Sequence, residues 1–185
     1  MRYKRSSQQA VVLRTFRKIH RISGVVFFVF LTLMGITGIL LGWKKHSGGL
    51  IQAETATGTT TDLKNWLPLD SLKNIACRII QDSVFAERSP QLDRIDVRPD
   101  KGVIKFSFKG HYRGVQLDGA TGAVLKIEHR NSDLIESIHD GSIVDRTLGT
   151  DPWFKLIYNT ALGLSLLLFS VTGFWLWYGP KRMRK

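Results

Sequence analysis

Two long apolar runs without a charge limit this chain more than anything else in it. Residues 22–43 give 22 such positions and residues 156–178 give 23, in a chain of 185. A helix rises about 1.5 Å per residue, so each run reaches roughly 33 Å, enough for a hydrocarbon layer of about 30 Å. Two runs of this length leave too little chain to bury both inside a soluble core, and both are read as transmembrane helices. A secretory signal would have a shorter apolar stretch and a small-residue cleavage site. Trp43-Lys44-Lys45-His46 offers neither, so the first run reads as a permanent anchor.

The charge follows the same plan. The formal net charge is +12, but residues 1–21 hold seven basic side chains and no acid, and residues 179–185 hold four more. The segment 44–155 carries the remaining sixteen basic residues and all fifteen acids. Basic ends stay on the cytoplasmic side, so both termini are expected there and the long connection on the far side. Lys44 and Lys45 oppose this weakly, since long loops cross largely regardless of charge. Trp43, Trp175, Trp177 and Tyr178 sit where an aromatic belt meets the headgroups. The basic ends thus read as topology anchors in a lipid bilayer that also meet anionic headgroups, not as a nucleic-acid surface. Cys77 is the single cysteine, which excludes an internal disulfide and a cysteine-based zinc site.

The expected organisation is a basic segment (1–21), a first span (22–43), a linker (44–66), a small folded domain (67–130), a short helix and connection (131–155), a second span (156–178) and a basic tail (179–185). Residues 47–62 are rich in Gly, Thr and Ala and lack periodicity, as a linker or poorly ordered excursion would. Leu69, Leu72, Ile75, Ala76, Ile79 and Ile80 recur at helical spacing over residues 68–84. Alternation follows: Ile95 and Val97, then Ile104, Phe106 and Phe108, then Val115 and Leu117, then Leu125 and Ile127. The fold class expected is membrane α+β, with two transmembrane helices flanking one helix packed on an antiparallel sheet whose other face is wet. A last short helix is expected over residues 133–140.

Three motifs then give the chain a resemblance. Lys18-Ile19-His20-Arg21-Ile22-Ser23-Gly24 opens the first span, and Gly35-Ile36-Thr37-Gly38 follows near its far end. Asp118-Gly119-Ala120-Thr121-Gly122-Ala123-Val124-Leu125 resembles a PepSY hairpin, in which a Thr-Gly turn joins two strands. Ile138-His139-Asp140-Gly141 and Leu148-Gly149 precede a last span ending Thr172-Gly173-Phe174-Trp175-Leu176-Trp177. In order and spacing these resemble proteins with PepSY-associated transmembrane helices. The resemblance implies a bacterial inner-membrane protein with a periplasmic PepSY domain. Larger members are associated with iron-siderophore uptake, and some resemble haem-containing ferric-siderophore reductases. Those members typically have four or more spans, whereas this chain has two.

A b-type haem takes axial ligands on opposite faces of its iron, usually neutral imidazole nitrogens. Five histidines are available, none deep within either run: His20, His46, His111, His129 and His139. His20 and His46 are 26 positions apart, about 39 Å along a continuous helix, too far to share one haem. The candidate cofactor-binding residues are therefore His20 at the cytoplasmic edge, with His46 and His139 at the outer edge. An interfacial anchor already explains His20, and a backbone bond in the turn before Gly141 is the competing reading of His139. A second copy of the chain would supply a second His20 across a two-fold axis. Gly35, Gly38 and Gly42 would allow such close helix approach, or would pack the chain's own second helix. His111 and His129 are expected to be exposed at strand edges.

The sequence shows no nucleophile elbow, Walker loop or dinucleotide fingerprint, and no catalytic residue is assigned. Two functions remain open. One is an accessory in iron-related redox or uptake that binds haem. The other is a non-catalytic tethered module that docks a protease, a transporter or a larger membrane complex, offering the edge strands of its sheet.

Overall fold

No proline interrupts residues 1–42, and the helix they form, α1, runs Arg2–Gly42 in a computed structural model that describes residues 2–84 and 90–183. A helix satisfies its backbone within itself, which a bilayer demands. The hydroxyls inside it follow suit: Ser23 Oγ donates to Ile19 O at 2.7 Å and Thr37 Oγ1 to Leu33 O at 2.7 Å. The second apolar run lies in α5, Trp153–Met183. Arg184 and Lys185 of the basic tail lie outside the described residues. Both long helices are apolar and long enough to cross a membrane. Large apolar side chains such as Val25, Val29, Ile157 and Leu167 are exposed along them, the surface that lipid would cover.

The chain divides into two compact units, one made of Met1–Gly38 with Ser137–Lys185, the other of Ile39–Glu136. In the first unit α1 and α5 run antiparallel. The Phe16 ring meets Trp175 at 6.2 Å and the Phe30 ring meets Tyr158 at 6.1 Å. The helices approach closely at Gly179, where a Cβ would come within 2.7 Å of Leu13 Cδ2 and displace that side chain. The end of helix α3 (Asn131–His139) and helix α4 (Ser142–Leu148) lead into α5. The sequence indicated only the first of these two short helices. The Asp145 carboxylate is buried and accepts the Phe154 and Lys155 backbone N–H groups at 3.2 and 2.9 Å. It thereby satisfies donors that the first turn of α5 would otherwise leave open.

The second unit holds α2 (Leu69–Val84) and four strands, β1 (Leu92–Arg98), β2 (Val103–Phe108), β3 (Arg113–Asp118) and β4 (Val124–His129). They form one antiparallel meander in the order β1-β2-β3-β4. Leu72, Ala76 and Ile80, four apart on α2, are fully buried against Ile104, Phe106, Phe108, Val115 and Leu117. Each large side chain buried this way contributes about 1.5–3 kcal/mol.

The other face of the sheet is covered over much of its area, not left wet. Val103, Gln116 and Asp118 on it are buried. Their cover is the segment expected to be a loose linker. The Gln116 amide behaves like a neighbouring strand's peptide group: its Oε1 accepts Ala56 N–H at 2.9 Å and its Nε2 donates to Glu54 O at 3.0 Å. Asp118 Oδ2 accepts the Thr59 N–H at 2.7 Å and the Thr59 hydroxyl. Gly58 N–H reaches Lys101 O at 2.7 Å, and Trp66 Nε1 donates to Thr60 O at 3.2 Å. Residues 54–60 are thus a strap across the sheet, bound by two polar side chains of β3.

Candidate functional site

The chemistry-bearing residues of the first unit gather in two places. At one, His20 Nδ1 lies 2.8 Å from Thr172 Oγ1, joining α1 to α5. At the other, His139 Nδ1 lies 2.8 Å from Thr37 Oγ1. His20 and Thr37 are 17 residues apart on one helix, about 25 Å along its axis.

The two places share a construction. Each threonine is followed by a glycine, Gly173 or Gly38, and the imidazole edge rests on it. A Cβ at Gly173 would meet His20 Cε1 at 3.8 Å, and one at Gly38 would meet His139 Cε1 at 3.5 Å. The Phe169 ring adds an edge-on contact to His20, with centroids 5.1 Å apart.

Hydrogen counting assigns the donor in each pair. A threonine hydroxyl has one hydrogen to give. Thr172 gives it to Leu168 O at 2.6 Å, and Thr37 gives it to Leu33 O at 2.7 Å. Each oxygen is then an acceptor toward imidazole, so Nδ1 carries the proton in both rings. In a neutral ring Nε2 then keeps its lone pair, and neither Nε2 makes a hydrogen bond among the described residues. This is the state in which a histidine binds a metal through Nε2 while a second group holds its other nitrogen.

His46 is built differently. It ends a short turn, Lys44–His46, within the second unit, is exposed, and meets the Trp43 ring edge-on at 6.4 Å. His111 corrects an expectation, for it is half-buried. Its ring stacks on Phe108 at 6.2 Å and its Nδ1 accepts Arg113 N–H at 3.2 Å. Burial, followed by the charges of Arg113 and Arg130, lowers its pKa from the ordinary value. Gly35 and Gly42 face open space, whereas Gly38 carries His139. Among the described residues no three His, Cys, Asp or Glu side chains gather around a common point.

A family model described as the PepSY-associated TM region matches residues 4–184. The chain belongs to this family. No curated protein and no solved structure matches it. Membership and the two long apolar helices together make this a membrane-associated PepSY protein. In this PepSY protein, Thr37 and Thr172 are the partners of the candidate histidines that reasoning from the sequence did not name. Both stood in motifs that carry the family resemblance, Gly35-Ile36-Thr37-Gly38 and Thr172-Gly173. A Thr-Gly step near the end of each apolar run was the available signal.

Near the second place, Asp140 accepts Ser142 N–H at 2.9 Å and pairs with Lys155 Nζ at 2.5 Å. Burial raises its pKa, but the bonds from Lys155 and Ser142 outweigh burial and leave the carboxyl below its ordinary range. Asn159 Nδ2 donates to Asp140 O at 2.8 Å. These contacts fix the turn that carries His139.

Proposed function

We propose that this protein binds b-type haem through Nε2 of His20 and of His139, at two depths of the membrane. The observation that carries the reading is the repeated seat: Nδ1 tied to a threonine that has already spent its hydrogen, Nε2 bare, and a glycine beneath the ring. The donor set fits haem iron, for which neutral imidazole is an ordinary axial ligand. Each seat offers one imidazole, so one chain supplies one ligand per haem, and a second copy would supply the other. When bound, haem supplies a carrier of single electrons. The protein's own residues do the rest. Thr37 and Thr172 hold the tautomer and ring orientation, and Gly38 and Gly173 leave room for the imidazole edge. His46 lacks this arrangement and is not part of the proposed pair.

The wider reading is an accessory in iron- or siderophore-related redox or uptake, in a bacterial inner membrane, with both termini cytoplasmic and the PepSY domain periplasmic. Resemblance to larger members supports the role, and the basic ends support the orientation.

The test is the visible spectrum of the full chain, purified in detergent after expression with a haem supply. A Soret band is expected, roughly halved in His20→Ala or His139→Ala and absent from the double variant. Thr172→Val and Thr37→Val are each expected to weaken haem affinity at one seat by about 10–100-fold. A wild-type protein without a Soret band would falsify the proposal and favour the docking-module alternative.

A further inference from the structure

The chain turns from α4 into α5 through residues 149–152, and this turn satisfies its own backbone. Asp145 does most of the work. Its carbonyl accepts the Gly149 and Thr150 N–H groups. Its carboxylate accepts those of Phe154 and Lys155 together with the Thr150 hydroxyl. Trp153 N–H bonds Asp151 O at 2.6 Å, and Leu156 N–H bonds Pro152 O at 3.2 Å. Pro152 has no N–H to satisfy. Gly149 takes the left-handed conformation that closes α4, with φ +66. A turn whose donors are consumed internally needs little from water, which is the condition for entering the edge of a bilayer.

The side chains on the same corner are apolar where they are most open. Leu148 is 69% exposed and Trp153 66%. Single exposed apolar residues are ordinary, but these continue a larger surface. Trp153, Ile157, Leu164, Leu167, Val171 and Phe174 recur at helical spacing, all exposed, and form one stripe along α5. Most of that stripe lies within the apolar run, where lipid is its natural cover, and the same cover reaches its end. Trp153 stands three residues before Leu156, the first position of the run, or about 4.5 Å along the axis. Tryptophan collects at that depth, its ring among acyl chains and its N–H toward water. Thr147 and Asp151, also exposed, present polar groups to the headgroups.

We propose that the corner 148–153 is a lipid-binding foot. Leu148 and Trp153 insert between headgroups and acyl chains at the bilayer boundary where α5 begins. Lys155 pairs with Asp140, and Asn159 Nδ2 donates to Asp140 O. The foot is thereby tied to the turn that carries His139 and sets how far from the boundary that turn sits. The foot rests on α4 and α5 alone and does not depend on haem.

The experiment places a nitroxide at Leu148→Cys, Leu167→Cys or Asn74→Cys, in the full chain with Cys77→Ser, reconstituted in phosphatidylcholine vesicles. Collision rates with oxygen and with an aqueous nickel chelate, read by EPR, give the depth of each label. Leu167 lies midway along α5 and Asn74 is exposed on α2, so the two calibrate the scale. The label at position 148 is expected about 5–10 Å below the headgroups, reached by oxygen and shielded from nickel. A label there as open to nickel as the one at position 74 overturns the foot. A label hidden from both probes overturns it too, because protein would then cover the corner. Nickel access at position 167 would instead overturn the spanning helix and the foot together, which separates the two failures. A second measurement keeps both native side chains. The emission lost in Trp153→Phe should be the share that lipids brominated near the headgroup quench in the wild type. Quenching of that share by aqueous acrylamide, and not by brominated lipid, overturns the placement of Trp153.

Discussion

Asp118 shows how much one side chain can organise here. It closes the β3–β4 turn through Ala120 and Thr121 N–H, at 2.8 and 3.2 Å, and holds the strap through Thr59. Burial pushes its pKa up, yet the bonds from Thr59, Thr121 and Ala120 prevail and hold the carboxyl below its ordinary value. A carboxyl whose pKa falls on folding adds stability that is complete above its unfolded value, about 3.9, and is lost as pH drops through the folded value. Asp118→Asn is therefore expected to cost about 2 kcal/mol at neutral pH, because an amide nitrogen would face donors it cannot satisfy. Hydrogen exchange of the β3 amides in the two proteins measures the gap. It should be widest above about pH 5 and close on the acid side of about pH 4; a gap unchanged down to about pH 3 would contradict the carboxylate's role. From sequence, Asp118 was legible as a turn residue, because Asp-Gly is a local signal. Its grip on Thr59, and the parallel grip of Gln116 on Glu54 and Ala56, span 59 to 62 positions and leave no local trace.

At the scale of elements, periodicity reported the parts that bury apolar surface and missed the part that does not. α2 and the four strands stand close to where spacing and alternation put them, since Leu72, Ala76, Ile80 and the inward residues of β2 and β3 must meet. The strap has no such stripe and is held by hydrogen bonds to its backbone, so its composition resembled that of a free linker. Its path depends on two glycines. A Cβ at Gly58 would run into the Gly102 carbonyl, and Gly102 itself has φ +70 and lies against Thr60 O. Gly58→Ala should raise the energy of the closed strap by about 1–3 kcal/mol, as overpacking does. Amides 54–60 should then lose about 10–100-fold of their exchange protection while those of α2 keep theirs. Equal loss in α2 would show that strap and core open together.

For the molecule as a whole, the two apolar runs and the skewed charge were enough to read a membrane-associated protein, and the family match agrees. The candidate seats were half legible. His20 and His139 could be named because few histidines exist and both adjoin the spans. Their threonine partners could not, because 152 and 102 positions separate each pair and only tertiary packing joins them, α5 meeting α1 at His20 and the end of α3 meeting α1 at His139. The orientation is directly testable. Reporters fused before Met1 and after Lys185 should both score cytoplasmic, and one inserted at Gly110, where a left-handed turn faces open space, should score outside. An outside signal at Lys185 would reverse the assignment.

The doubled seat has a consequence for insertion itself. With an imidazole on a Thr-Gly step at either rim, the helical hairpin is almost indifferent to being turned over. The cationic ends are then what sets the expected orientation. Relocating that charge to the connecting segment would invert the molecule in the bilayer and leave both imidazoles as they were.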